Sequence, residues 1–213
     1  MLLCAMPLSA QDNIKKETFL FATNNGVELF LDRYTSTTTY TTPQPAMIFA
    51  FGGGFVGGTR DRDFYQPYFN HLAENGIVVV SIDYRLGLKN LPSDASMIDM
   101  IGYLSNAVNI AVEDMYSATN YLIANAKEWN IDTSKIMISG SSAGAITALQ
   151  AEWLRDKGAE LAKVLPEDFR YAGVVSCAGA LFSTKGKPKF SGSAAPMLLF
   201  HGSSDTQVPY TKM

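Results

Sequence analysis

The sequence predicts an α/β fold, in which an N-terminal β-hairpin precedes a mainly parallel sheet with helices on both faces. The hairpin is indicated by Asn24-Asn25-Gly26, which lies between two β-rich segments and accepts the positive φ of a tight turn. The parallel sheet is indicated by short apolar runs that alternate with segments of helical periodicity. The chain has 213 residues, of which 47% are hydrophobic, and this is enough for one domain with a full core.

Seven segments are rich in β-branched, aromatic or apolar residues and are bounded by turn signals. The two hairpin strands come first. Each later segment is short and apolar, which is typical of a strand that is buried on both faces. The predicted strands cover residues 18–22, 27–34, 46–51, 77–83, 136–139, 173–177 and 197–200.

Three segments between these strands show helical periodicity. They cover residues 64–75, 106–129 and 142–157, and Asn75-Gly76 is a C-cap signal for the first of them. Apolar residues at helical spacing are expected to form the buried faces of the second and third helices. These residues are Val108, Ala111, Met115, Ala118, Leu122 and Trp129, followed by Ile146, Leu149 and Trp153.

Composition and charge exclude several classes of function. The formal net charge is −3, and no cluster of Lys and Arg provides the basic field of a nucleic-acid-binding protein. No apolar run reaches the length that spans a bilayer. The phosphate-binding pattern G-x-x-x-x-G-K-[ST] is absent, as are H-x-x-x-H and Cys-rich ligand sets, so neither a metal nor a cofactor is expected.

The N-terminal segment indicates export. An apolar stretch from Leu2 to Leu8 is followed by Ser9-Ala10, which predicts that residues 1–10 are the remnant of a signal peptide and that the domain covers residues 11–213. An N-terminal arm with no targeting role is the alternative. If the segment is cleaved, Cys177 has no disulfide partner and is expected to be a buried, small apolar side chain.

A G-x-S-x-G motif, Gly140-Ser141-Ser142-Ala143-Gly144, carries the chemistry. It follows the strand 136–139 directly and opens the helix 142–157, which is the context of a nucleophile elbow. Ser142 is therefore the predicted nucleophile, and Ser141 is disfavoured because it is not at the centre of the motif. The alternative is a glycine-rich strand–helix turn with an inert serine.

Acyl transfer creates an oxyanion, which requires preorganised N–H donors. The amide of Ala143, directly after the nucleophile, is one expected donor. Gly52-Gly53-Gly54 follows a predicted strand, and Gly53 and Gly54 are the expected donors of that loop, because glycine lets the backbone approach closely. A flexible turn is the alternative.

The predicted triad acid is Asp205, which follows the last predicted strand in His201-Gly202-Ser203-Ser204-Asp205. It lies after the nucleophile in the chain, as a triad acid should, and would orient the catalytic histidine. A turn or cap aspartate is the alternative.

Together these motifs resemble the α/β-hydrolase superfamily, in particular its carboxylesterase, hormone-sensitive-lipase-like and feruloyl/acetyl-xylan esterase branches. The resemblance spans residues 46–209 and includes Asp83-Tyr84-Arg85-Leu86, in which it implies a structural arginine that pairs internally. Phe51 stands where the lipase-like branch usually has a histidine before the glycines.

The resemblance also implies the order nucleophile, acid and then histidine. The chain contains only His71, expected on the surface of the first helix, and His201, expected to be structural at a strand end. The catalytic base is therefore expected beyond Met213, together with a last strand and a final helix.

Two long connections, residues 88–105 and 181–195, remain open to interpretation. Each could wall or cover a pocket above Ser142, or pack as an ordinary loop. The apolar residues of the first connection that would serve this purpose are Leu91, Met97, Ile98, Met100 and Ile101.

The leading hypothesis is a serine esterase that acts through an acyl-enzyme on a small-molecule or polysaccharide ester. The resemblance implies acetyl or feruloyl groups on polysaccharide as substrates. The alternatives are a serine peptidase of the prolyl-oligopeptidase type and a non-catalytic hydrolase-fold protein that binds a ligand.

Overall fold

The computed structural model describes residues 13–92, 94–183 and 186–209. The predicted signal-peptide remnant lies outside these residues. Seven strands in the described ranges form one mixed sheet of order β1-β2-β4-β3-β5-β6-β7. The strands are β1 Ile14–Asn24, β2 Val27–Ser36, β3 Gln44–Ala50, β4 Val78–Ile82, β5 Ile131–Ser141, β6 Gly173–Cys177 and β7 Met197–Phe200.

The pairing confirms the predicted fold class. β1 and β2 form an antiparallel hairpin whose turn residues Asn25 and Gly26 have φ values of 50° and 77°. β2 also runs antiparallel to β4, and every later pair in the sheet is parallel. The buried β3, between β4 and β5, forms the centre of the core.

Helices cover both faces of the sheet. They are α1 Gln66–Glu74, α2 Met97–Asn125 and α3 Ala143–Asp156, with short 3-10 segments at Asp63–Tyr65 and Glu160–Val164. Phe49 of β3 packs its ring against Phe69 of α1. Gly140 of β5 pairs with Ala50, the residue after Phe49, and a Cβ on Gly140 would lie 2.2 Å from the carbonyl carbon of Gly144 in α3. Because successive residues of a strand face opposite sides, α1 and α3 lie on opposite faces. Among the described helices, none is long and apolar enough to cross a membrane.

The second helix begins nine residues earlier than predicted. Ser96 and Asp99 form a capping box, in which the Ser96 side chain accepts the Asp99 amide and the Asp99 carboxylate accepts the Ser96 amide. The first turn then exposes Met97 and Ile98, with 84% and 82% of their surface accessible. Hydrophobic periodicity reveals a helix through its buried positions. None of the residues in this first turn is buried, so the pattern does not mark the start of the helix.

The predicted buried face of α2 is confirmed from Val108 to Leu122, which are 1% and 0% exposed. The predicted end is wrong, because α2 ends at Asn125 and Trp129 is buried outside the helix, against the ring of Phe19. In α3, Leu149 is buried as predicted. Ile146 and Trp153 are only partly buried.

One buried carboxylate joins the hairpin, β4 and α2. Asp114 of α2 is fully buried and accepts a hydrogen bond of 2.6 Å from the Asn24 side chain, at the end of β1. It also accepts the Arg85 backbone amide at 2.7 Å and the Arg85 Nε at 3.0 Å. Arg85 reaches in addition the half-exposed Glu113 at 2.7 Å. The internal pairing expected for this arginine is therefore present.

We expect Asp114→Ala to lower the free energy of unfolding by about 3–5 kcal/mol, because it leaves Arg85 without its buried partner. The matched control is Glu113→Ala, which removes the exposed partner of the same arginine and should cost about 0–1 kcal/mol. Urea denaturation followed by circular dichroism measures both values. Equal losses for the two variants would contradict this account.

Candidate active site

The predicted nucleophile lies in a strained turn between β5 and α3. Ser142 has φ 51° and ψ −118°, a backbone conformation that residues with a side chain rarely adopt. Its amide donates to the carbonyl oxygen of Cys177 in β6 at 2.8 Å, and its own carbonyl oxygen accepts the Ile146 amide at 2.9 Å. The turn is thus fixed on both sides of Ser142, as a nucleophile elbow requires.

The last glycine of the motif lets α3 approach the sheet. A Cβ on Gly144 would lie 2.0 Å from the carbonyl oxygen of Ala50 in β3, a distance that no side chain can occupy. Because α3 starts directly after Ser142, this close packing fixes where the helix begins. It therefore also fixes the amide of Ala143, the first N–H of α3, which has no acceptor within the helix.

The predicted oxyanion loop is a tight turn. The carbonyl oxygen of Gly53 accepts the amides of Val56 and Gly57 at 3.1 and 3.2 Å. The central residues Gly54 and Phe55 have φ values of 62° and 60°, and their own amides are not used by the turn. A Cβ on Gly53 would lie 1.9 Å from the carbonyl oxygen of Gly57, so this position requires glycine.

Ser142, Ala143 and Gly54 border one cavity of about 210 Å³. The structure thus brings together the predicted nucleophile and two of the three predicted oxyanion donors. The third, Gly53, directly precedes Gly54 in the loop and does not line the cavity. The other lining residues are mostly apolar; they are Phe55, Leu104, Val108, Ile146, Ala180, Phe182, Gln207 and Val208.

The predicted acid lies on a loop that reaches this cavity. Asp205 Oδ1 accepts the amides of Gln207 and Val208 at 2.8 and 2.9 Å, and these two residues line the cavity themselves. The amides of Val208 and Gln207 hold the pKa of Asp205 below its usual value, with a smaller contribution from His201. The carboxylate therefore stays ionised at mildly acidic pH. The stabilisation that it gives to the loop is lost only as the pH falls through that lowered pKa.

Neither histidine lines the cavity that contains Ser142. His71 is an exposed residue of α1. His201 follows β7, and its Nε2 lies 2.6 Å from the carbonyl oxygen of Val208 and 3.7 Å from Asp205 Oδ2. A carbonyl oxygen can only accept, so Nε2 carries the proton in this contact. His201 therefore stabilises the acid loop, in keeping with a structural role.

The two long connections contribute differently to the cavity. Phe182, at the start of the second connection, lines the cavity and donates its amide to Gln150 Oε1 at 3.3 Å. None of the apolar residues predicted as a wall in the first connection lines the cavity, and Met97 and Ile98 point to solvent at the start of α2. The first connection supplies Leu104 instead, three residues after Ile101 on the same helix.

Two tyrosines that the sequence does not mark as functional hold the glycine loop. Tyr84 donates its hydroxyl to the carbonyl oxygen of Phe51 at 2.8 Å, and Tyr65 accepts the amide of Gly52 at 3.1 Å. Tyr84 belongs to the motif that the resemblance treats as structural. Tyr65 lies in a segment without any motif, so no pattern marks it.

Cys177 is partly buried rather than fully buried, at the end of β6, and burial raises the pKa of its thiol. Its backbone carbonyl, not its sulfur, contacts the elbow. Within the part of the chain that the structure describes, no three His, Cys, Asp or Glu side chains are grouped so that they could hold a metal ion.

The mixed sheet, the strained elbow and the glycine turn define an α/β-hydrolase. A BD-FAE family model matches residues 31–179, which include β3, the glycine turn and the elbow. The chain belongs to the BD-FAE family.

Comparisons with individual proteins also find esterases. Esterase B1 of Culex pipiens is 32% identical over 120 residues, which are 56% of this chain and 21% of that protein. The fumonisin B1 esterase of Sphingopyxis macrogoltabida is 33% identical over 102 residues, or 47% of this chain and 18% of that protein. This chain thus spans about a fifth of the length of these curated relatives.

Solved esterase structures share the fold. Esterase 2 of Thermogutta terrifontis, phosphoramylated by tabun, aligns with a TM-score of 0.70 at 24% identity, over 92% of this chain and 74% of that one. A bacterial heroin esterase aligns with a TM-score of 0.57 at 25% identity, over 80% of this chain and 46% of that one.

We expect Gly53→Ala to lower the free energy of unfolding by about 1–3 kcal/mol, because a Cβ there meets the Gly57 carbonyl oxygen in a strained backbone region. Gly57→Ala is the control in the same loop. A Cβ on Gly57 meets nothing within 4 Å, so this change should stay within about 0.5 kcal/mol. Urea unfolding of both variants tests the difference, and a Gly53→Ala protein as stable as Gly57→Ala would refute it.

Proposed function

We propose that the protein is a serine carboxylesterase with Ser142 as its nucleophile. The observation that carries this proposal is the position of Ser142: a serine in a strained elbow, which lines the same cavity as Gly54 and Ala143. An inert serine has no need of this conformation. The esterases among the relatives support the same reaction class.

In the proposed reaction, Ser142 Oγ attacks the ester carbonyl carbon while a base takes the hydroxyl proton. The carbonyl π bond opens, and the negative oxygen is held by the amides of Gly54 and Ala143, with Gly53 as the further predicted donor. The tetrahedral intermediate then expels the alcohol, which takes the proton from the base. Water repeats the sequence on the acyl-enzyme and releases the acid.

The base is proposed to be a histidine that follows Asp205 in the chain. The family order of nucleophile, acid and base supports this assignment, and Asp205 is the proposed acid that orients it. The contact of His201 Nε2 with the Val208 carbonyl oxygen, and the position of His71 on the exposed side of α1, support this choice.

The proposed substrate carries an aromatic acyl group such as feruloyl on a polysaccharide. The cavity, about 210 Å³ in volume, has room for an acyl group larger than acetyl. Its walls are mostly apolar and include Phe55 and Phe182. Export, proposed from the segment that ends at Ala10, would bring the enzyme to such a substrate.

The nucleophile is tested with a fluorophosphonate probe and an ester assay on the full-length protein. Wild type should be labelled at Ser142, and Ser142→Ala should abolish labelling and reduce kcat by roughly 10⁶-fold, as loss of the nucleophile does in other serine hydrolases. Ser141→Ala, the adjacent control, should keep both. A full-length protein that is not labelled would favour the non-catalytic, ligand-binding alternative.

The acyl cavity is tested by filling it. Leu104→Trp should reduce kcat/KM for a feruloyl ester at least about tenfold more than for an acetyl ester, because the larger ring occupies the space of the aromatic acyl group. Ile98→Trp is the control on the same helix, at a position 82% exposed. If Leu104→Trp slows both esters equally, the acyl group does not bind in this cavity.

A further inference from the structure

We propose that Tyr65 and Tyr84 are positioning residues, which hold one peptide group of the glycine loop and thereby keep its oxyanion donors aligned with Ser142. The proposal rests on the proposed function, because it assigns a catalytic consequence to a hydrogen-bonding pattern. We call this pair of contacts the peptide clamp.

The two contacts are made to opposite sides of a single peptide unit. The carbonyl oxygen of Phe51 and the amide of Gly52 belong to the same planar group. Tyr84 donates to that oxygen at 2.8 Å and Tyr65 accepts that N–H at 3.1 Å, and both bonds are buried. A peptide plane held at both its oxygen and its nitrogen cannot rotate without breaking a buried hydrogen bond and leaving a buried polar group unpaired.

The clamped peptide adjoins the nucleophile. A Cβ on Gly52 would lie 2.9 Å from the Ser141 carbonyl oxygen and 3.2 Å from Ser142 Cβ. The next two residues are Gly53 and Gly54, whose amides are the predicted donors. Glycine restricts its own backbone least of all residues, so the direction of these amides has to be fixed by their neighbours.

The far end of the loop is held by the same segment. The amide of Leu88, four residues after Tyr84, donates to the carbonyl oxygen of Phe55 at 2.9 Å. The Tyr84 ring also stacks on Phe51, with centroids 4.4 Å apart, and meets the edge of Phe55 at 6.2 Å. Hydrogen bonds therefore fix the loop on both sides of Gly53 and Gly54, and Gly54 is the predicted donor of this loop that lines the cavity.

Such a clamp acts on catalysis through preorganisation. Donors that already point at the developing charge need no rearrangement in the transition state, and loss of one donor typically costs about 10²–10³-fold in kcat. Loosening the loop weakens this alignment without removing a donor, so its cost should be smaller. Burial raises the pKa of the Tyr84 hydroxyl, so the hydroxyl remains protonated and able to donate at alkaline pH.

The experiment compares Tyr84→Phe and Tyr65→Phe with Tyr116→Phe in the full-length protein. Tyr116 is the matched control, because its buried hydroxyl also donates to a backbone carbonyl, that of Ala151 at 2.6 Å, between α2 and α3. We expect each clamp variant to lower kcat on a short ester about tenfold, with KM changed less than about twofold, because the clamp serves the transition state. The control should keep kcat.

A second readout separates alignment from general loosening. A boronic acid that forms a tetrahedral adduct with Ser142 should bind both clamp variants more weakly by the same factor as the loss in kcat. The double variant Tyr65→Phe/Tyr84→Phe should lose little more than either single variant, since both act on one peptide group.

The proposal is overturned if the clamp variants lose no more kcat than Tyr116→Phe, or if their boronate affinity is unchanged. If one of them fails to fold, the other still decides, because loss of either contact releases the same peptide group. Failure of the proposed function looks different: the wild type would then not be labelled by the fluorophosphonate probe, or Ser142→Ala would retain activity, whatever the tyrosine variants do.

Discussion

The backbone of Ser142, held at φ 51°, is the constraint on which the site depends. A residue with a side chain stays in this region only when its surroundings over-determine it. Here a hydrogen bond to Cys177 ties the elbow to β6, and the contact of Gly144 with Ala50 presses α3 against β3. Three adjacent parallel strands, β3, β5 and β6, and the helix α3 therefore together fix the position of the Ser142 hydroxyl group. The same contacts fix the first residue of α3, Ala143, which lines the cavity, so the proposed nucleophile and one proposed oxyanion donor are held as a unit.

Charged and uncharged parts of the site are separated in the fold. The groups that would meet the acyl oxygen are peptide N–H groups in the interior, which do not titrate. The ionisable acid, Asp205, lies after β7, the last strand in the sheet order, on a loop supported by His201 and by its own backbone amides. In the proposed reaction, stabilisation of the oxyanion should therefore be insensitive to pH, and the pH dependence should arise from the proposed acid and the base that it would orient.

Much of this could be predicted from the sequence, because local patterns carry it. The bounds of β6 and β7 agree with their apolar runs, and the elbow is marked by G-x-S-x-G between a strand and a helix. The start of α2 was missed because its capping box precedes a turn whose apolar side chains face solvent. The support of the glycine loop was missed for a different reason. Tyr84 and Tyr65 bind backbone atoms 33 and 13 residues away, and backbone atoms leave no pattern in a sequence.

The binding of Tyr65 and Tyr84 to backbone atoms also determines which residues of the loop can change as related sequences diverge. The two phenols contact main-chain atoms, which are the same whatever side chain residue 51 carries. The side chain at position 51 has only to provide a planar ring that stacks on Tyr84, as the ring of Phe51 does. Position 51 is thus free to exchange one planar side chain for another while the loop keeps its shape. Related hydrolases could in this way differ in the chemistry beside the oxyanion donors and still share their geometry.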